Sequence, residues 1–202
     1  MTLTVYENEG MKRELTPEGI YLGVCCEIID LGMQTSNFEG KETINREVML
    51  RWELPELTYT TKDGDELPRM INKRMRIVYN EKSNLGKLLK SWTPMLLPKD
   101  MKQGFDLTQL LGMGAQVTVT HQKKKTGDGL REEYAFAGLM KGYAVPAPTH
   151  TLVYDLDAPD ALAALATLPE WLQEIIREGE TYRQRAAAAE RPFGADEGDL
   201  PF

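Results

Sequence analysis

Apolar residues recur along this chain with two periods. From Ile44 to Leu54 they alternate: Ile44, Val48, Leu50, Trp52 and Leu54 share one face, with Arg46 intruding. Asn45, Glu47, Arg51 and Glu53 take the other face, together with Met49. A period of two is that of a strand, whose successive side chains point to opposite faces. Residues 69–79 repeat the pattern with Ile71, Met75, Ile77 and Tyr79, and residues 115–122 and 133–139 predict a fourth and a fifth strand. The run 19–34 (Ile20, Val24, Ile28, Ile29) is apolar on both faces, as a strand buried on both sides would be. Pro55, the turn-rich stretch 61–68 and Asp128-Gly129 separate these runs. Between the third and fourth strands the period changes. Leu85, Leu88, Leu89 and Trp92 stand at i, i+3, i+4 and i+7, which predicts a short helix capped by Ser83 or Asn84 and followed by Pro94. A second helical turn fits Asp106 to Gly112.

The order strand, strand, strand, helix, strand, strand predicts a mainly β chain, with a five-stranded OB-fold barrel over residues 19–143. An SH3-like barrel or a plain antiparallel sheet would give similar strands, and the inserted helix favours the OB order. Residues 1–18 read as a polar lead-in. Residues 144–192 read as a linker, rich in small residues and proline, followed by helices that Pro169 must interrupt. Leu168, Leu172, Ile175 and Ile176, extended by Trp171, form an apolar stripe that must pack on something, most simply the barrel. Residues 193–202 lack the apolar content to fold alone and are expected to form a disordered acidic tail.

Composition narrows the function classes. Hydrophobic residues make up 42% of the 202, enough for a real core. No apolar run is long enough to cross a membrane as a helix. The first residues carry no apolar signal region, and the expected location is the cytoplasm. The two cysteines, Cys25 and Cys26, are adjacent, which excludes a disulfide scaffold and a four-thiolate zinc site. Net charge is -7, yet residues 1–143 are electrically balanced and the whole surplus falls in 144–202. Within the balanced part, residues 69–102 hold nine basic residues against Glu81 and Asp100.

Enzyme signatures are missing. No phosphate-binding loop is present, and Gly112-Met113-Gly114 reads as a helix stop and turn. Asp155, Asp157 and Asp160 resemble a calcium loop, but its sixth and twelfth positions are Asp160 and Ala166 rather than Gly and Glu. His121 and His150 are not at metal-ligand spacing, and Cys25 and Cys26 point to opposite faces of their strand. No catalytic residue, cofactor or metal is expected. A metal-dependent nuclease using Glu53 and Asp30 is the enzyme alternative.

A binding role has more support. Single strands of nucleic acid are held by a basic groove that tracks phosphates and by aromatic faces on which bases stack. Arg74 and Arg76 share one face of the third strand, Lys73 lies on the other and Tyr79 ends it. Arg46 and Arg51 come from the second strand, Lys123, Lys124 and Lys125 from the last hairpin, and Tyr134 and Phe136 from the fifth strand. These are the candidate nucleic-acid contacts. Trp52 and Trp92 lie on apolar faces and read as core. At the chain end, Asp196, Glu197 and Asp199 precede Leu200, Pro201 and Phe202. The terminal ring and carboxylate of Phe202 suit an apolar pocket rimmed by basic residues on a partner, to which the acids add long-range attraction.

The DEGDLPF end resembles the acidic tip of bacterial-type single-stranded DNA-binding proteins, with Leu200 where isoleucine is commoner and with Glu197 and Gly198 interrupting the aspartates. The body resembles a group of bacteriophage single-stranded DNA-binding proteins through GVCCEIIDLGMQ (23–34), VMLRWELPE (48–56), PRMINKRMRIVYNEKSNLGKLLKSW (68–92), GFDLTQLLG (104–112) and LPEWLQEII (168–176). The resemblance implies an OB-fold that coats unpaired DNA during replication or recombination in a bacterial host cell. It also implies a tip that recruits replication and recombination proteins, and it leaves open which residues touch DNA. A replication or recombination adaptor that binds mainly protein is the other alternative.

Overall fold

The computed structural model describes residues 15–190 apart from residues 39, 62, 63, 125, 126 and 128. Six strands make one sheet: β1 (Gly19–Phe38), β2 (Lys41–Thr60), β3 (Glu66–Arg76), β4 (Gly114–Lys123), β5 (Leu130–Ala137) and β6 (Leu152–Tyr154). The ladder runs β3-β2-β1-β4-β5, all antiparallel, and β6 adds parallel to β1 at Glu27–Ile29. The predicted alternation is found, but β1 and β2 each extend to 20 residues, beyond the apolar runs that announced them. β6 falls in what reads as linker. The expected closed five-stranded barrel is not what the pairing gives: β3 and β5 share no ladder among the described residues.

The helix α1 (Asn84–Trp92) forms where the apolar stripe predicts it, with the Ser83 side chain accepting from the Gly86 amide. Its buried face, Leu85, Leu88, Leu89 and Trp92, enters a core with Leu50, Trp52, Ile71, Val117 and Phe136. Trp52 is wedged there between Trp92, 5.5 Å away, and Phe136, 4.3 Å away. Trp92 tolerates burial because its indole N–H donates to the Gly114 carbonyl at 2.8 Å.

The opposite face of the sheet is also covered. Beyond β6 lie α2 (Ala161–Ala164), α3 (Glu170–Glu178) and α4 (Glu180–Ala189). Pro169 precedes α3 as expected, and Gly179 separates α3 from α4. Leu156, Leu165, Leu168, Leu172 and Ile176 pack on Ile29, Leu31 and Met49. Each fully buried aliphatic side chain contributes about 1.5–3 kcal/mol, so this segment is docked by its core rather than by surface charge. Gly32 makes the close approach possible. It sits at an irregularity of β1 with φ of 71°, and a Cβ there would lie 2.6 Å from Leu156 and 2.9 Å from Thr181.

Candidate nucleic-acid interface

The C-terminal cover changes the standing of β2. Its second face, polar in sequence, is buried from Glu47 to Glu53, and each charge there has a partner. Arg51 donates to Glu27 at 2.6 Å and lies over the ring of Trp171, 5.7 Å from its centroid. Glu53, 1% exposed, accepts from the Thr149 amide at 2.8 Å and from the Thr149 hydroxyl. His150 stands between the two acids, with Nε2 2.6 Å from Glu27 and Nδ1 3.2 Å from Glu53. Arg46 pairs with Asp30 at 2.5 Å and with Asp157 at 2.6 Å. These hydrogen bonds to carboxylates hold the Arg46 guanidinium charged even against partial burial. Arg46 therefore ties β1 and the C-terminal segment to β2 instead of lining an open groove, which corrects its assignment as a DNA contact, whereas Arg51, though paired with Glu27, still lines a cleft beside Trp171.

One aromatic assignment also changes. Phe136 is 6% exposed and stacked in the core, so its ring is not open to a base. Tyr134 is half-buried, its hydroxyl donating to Glu132 and its carbonyl accepting from Lys73 Nζ at 2.9 Å. Lys73 thus bridges the gap between β3 and β5, with its ammonium 5.3 Å from the centre of the Phe136 ring. Burial lowers its pKa from the usual lysine value.

What stays open lies along β3. Three clefts follow one another there, joined by shared walls. The first, about 920 Å³, is lined by Arg74, Arg76, Asn80, Lys82 and Asn84 among others. The second, between β3 and β5, shares Arg74 and Asn84 and adds Asn72, Lys73 and Arg131. The third shares Asn72 and continues to Arg51, Arg69, Met70, Tyr59 and Trp171. Arg74 donates to Glu47 and to Gln34. Arg76 donates only to the hydroxyls of Ser36, at 3.2 Å, and Thr43, at 3.4 Å, leaving its charge without a carboxylate among the described residues. Lys123 and Lys124 are exposed at the end of β4, and Tyr79 is half-buried against the core. Lys125 and the tail residues Asp196, Glu197, Asp199, Leu200, Pro201 and Phe202 lie outside the described residues.

Sequence reasoning missed Tyr59 and Trp171. Both are large, exposed and line one cleft, but they are more than a hundred positions apart and meet only because α3 docks on the sheet. The acids named for a nuclease do not converge. Glu53 groups with Cys26 and His150, and Asp30 with Asp155 and Asp157, where Arg46 already supplies the positive charge. His121 has its Nε2 2.8 Å from the Thr16 carbonyl oxygen. No helix among the described residues is long and apolar enough to cross a membrane. No family model, curated protein or solved structure gives a significant match to this chain.

Proposed function

We propose that this chain is a non-enzymatic single-stranded DNA-binding protein of bacteriophage type, which coats unpaired DNA and recruits replication or recombination enzymes through its acidic end. The continuous belt of clefts along β3 carries the reading. It is open, and beside the amides of Asn72, Asn80 and Asn84 it offers the guanidinium of Arg76 and the ammonium of Lys82, while Arg74 is paired with Glu47 and the wall toward β5 also carries Glu132 and Glu133. Such a belt suits a polyanion that is read by its backbone and stacked bases rather than by base edges.

The strand order β3-β2-β1-β4-β5 with α1 between β3 and β4 supports an OB-type barrel, here unsealed between β3 and β5 and bridged by Lys73. An acidic tail can occupy a basic belt when DNA is absent and be displaced when DNA arrives, leaving Phe202 for a partner pocket.

Fluorescence anisotropy of a labelled oligothymidine tests the reading. Binding at micromolar concentration or tighter in modest salt, weakening steeply as salt rises, is expected. No binding, with capture of replication proteins intact, would favour the protein adaptor. Cleavage of the strand on incubation with magnesium or manganese would favour the nuclease.

A further inference from the structure

Of the three tryptophans, Trp52 and Trp92 are sealed in the core, whereas Trp171 is 39% exposed on α3. The neighbouring Leu172 and Ile176 account for the docking of that helix, so packing alone does not require an indole at 171. Trp171 lines a cleft of about 490 Å³ with Tyr59, itself 44% exposed, and with Arg51, Arg69, Met70 and Asn72. The guanidinium of Arg51 beside the indole holds Trp171 in place by a cation–π contact. Arg51 spends Nη1 on Glu27, and its buried Nε has no hydrogen-bond partner among the described residues. Two exposed aromatic faces, a thioether and an amide around a cleft of this size suit a flat heteroaromatic ring that also carries polar edges. The cleft shares Asn72 with the neighbouring cleft between β3 and β5.

We propose that this cleft is a base-stacking subsite, in which Trp171 and Tyr59 take an unpaired nucleobase of the bound strand. The C-terminal helical segment thereby becomes part of the DNA-binding surface as well as a cover for the sheet. The proposal rests on the single-strand reading above. It goes beyond that reading by assigning stacking to Trp171, which lies outside the five strands, and to Tyr59 near the end of β2, while the core aromatic Phe136 is withheld.

The test is a titration of the full chain with oligothymidine, followed at once by the anisotropy of the labelled strand and by tryptophan emission. Emission is expected to be quenched on binding, because only Trp171 is open to a base. Trp171→Phe is expected to abolish the quench and keep most of the affinity, since a phenyl ring still stacks. Trp171→Ala is expected to weaken binding by about 5- to 150-fold, the range for one stacked base. On an abasic strand of equal length, wild type and Trp171→Ala are expected to bind alike. Normal anisotropy without quenching, or an alanine variant that binds oligothymidine as wild type does, or an equal loss on the abasic strand, would overturn the subsite and leave the single-strand reading standing. Absence of any anisotropy change would overturn both.

Discussion

Arg46 on β2 and Asp30 on β1 form a two-point contact, with Nη2 2.5 Å and Nε 3.2 Å from the two carboxylate oxygens. Asp30 is the more enclosed partner, and its oxygens also accept the Gly32 and Leu156 amides. Asp30 is therefore a junction where β1, β2 and the C-terminal segment meet. Arg46→Met is expected to lower stability by about 1–3 kcal/mol, because it strips a charged partner from a largely buried carboxylate. The accompanying loss of the exposed Asp157 pair adds little. Oligothymidine affinity at moderate salt is expected to stay within about twofold of wild type, which is worth about 0.4 kcal/mol. Chemical denaturation and anisotropy on the same variant check both statements.

The two thiols are expected to be inert in the folded chain. Cys25 is buried in the core, and Cys26 is pushed up to about 12, by burial first and then by the nearby carboxylates of Glu53 and Glu27. At pH 8 a thiol reagent should label neither cysteine in the native protein and both in denaturant. The linkage sign follows. Both folded-state values lie above the ordinary 9.0, so the unfolded chain releases its thiol protons first and stability falls as pH rises past 9.0. Each thiol contributes a slope approaching about 1.4 kcal/mol per pH unit in that range. Tyr154, raised to about 12 mainly by burial, steepens the fall above its ordinary 10.0. Melting temperatures measured from pH 8 to pH 11 should show this decline. A Cys25→Ala/Cys26→Ala variant should flatten the part that begins at 9.0 and keep the part due to Tyr154.

Two truncations should behave in opposite ways. Deleting residues 152–202 uncovers Ile29, Leu31 and Met49, now between 0% and 3% exposed, and removes β6 from the side of β1. That chain is expected to aggregate, because a contiguous apolar face is left without its cover. Deleting only residues 194–202 is expected to leave the melting temperature unchanged and DNA binding equal or tighter, while abolishing partner recruitment. Size-exclusion chromatography, melting and a pull-down of replication enzymes from a host extract separate the two cases.

Much of the sheet and the whole of α1 are legible in the chain, because period two in β2 and the i, i+3, i+4, i+7 stripe from Leu85 to Trp92 are local signals. The second face of β2 is not legible. Glu47, Arg51 and Glu53 make a polar face in the sequence, and they are covered because Arg74, Glu27, Thr149 and His150 meet them from other segments. Glu53 and Thr149 are 96 positions apart, and periodicity carries no record of which distant segment will cover a face. The same limit hid the site. The basic character of 69–102 pointed to β3, but that Arg46 and Arg51 are spent on internal ion pairs, and that Trp171 arrives beside Tyr59, depends on the docking of α3. Gly179 also escaped notice as a breaker between α3 and α4. A Cβ there would lie 2.5 Å from the Gln34 amide nitrogen, so the glycine answers to β1 rather than to its own neighbours.

The central claim is that DNA follows the β3 belt and not the covered face of β2. The most direct measurement is the salt dependence of oligothymidine binding for wild type, for Arg76→Gln/Lys82→Gln and for Arg46→Met. The belt variant is expected to bind more weakly and to reduce the slope of log affinity against log salt by about 0.7 for each phosphate it no longer neutralises, while Arg46→Met keeps the wild-type slope. A belt variant with unchanged slope, or an Arg46→Met variant whose slope falls, would contradict the account.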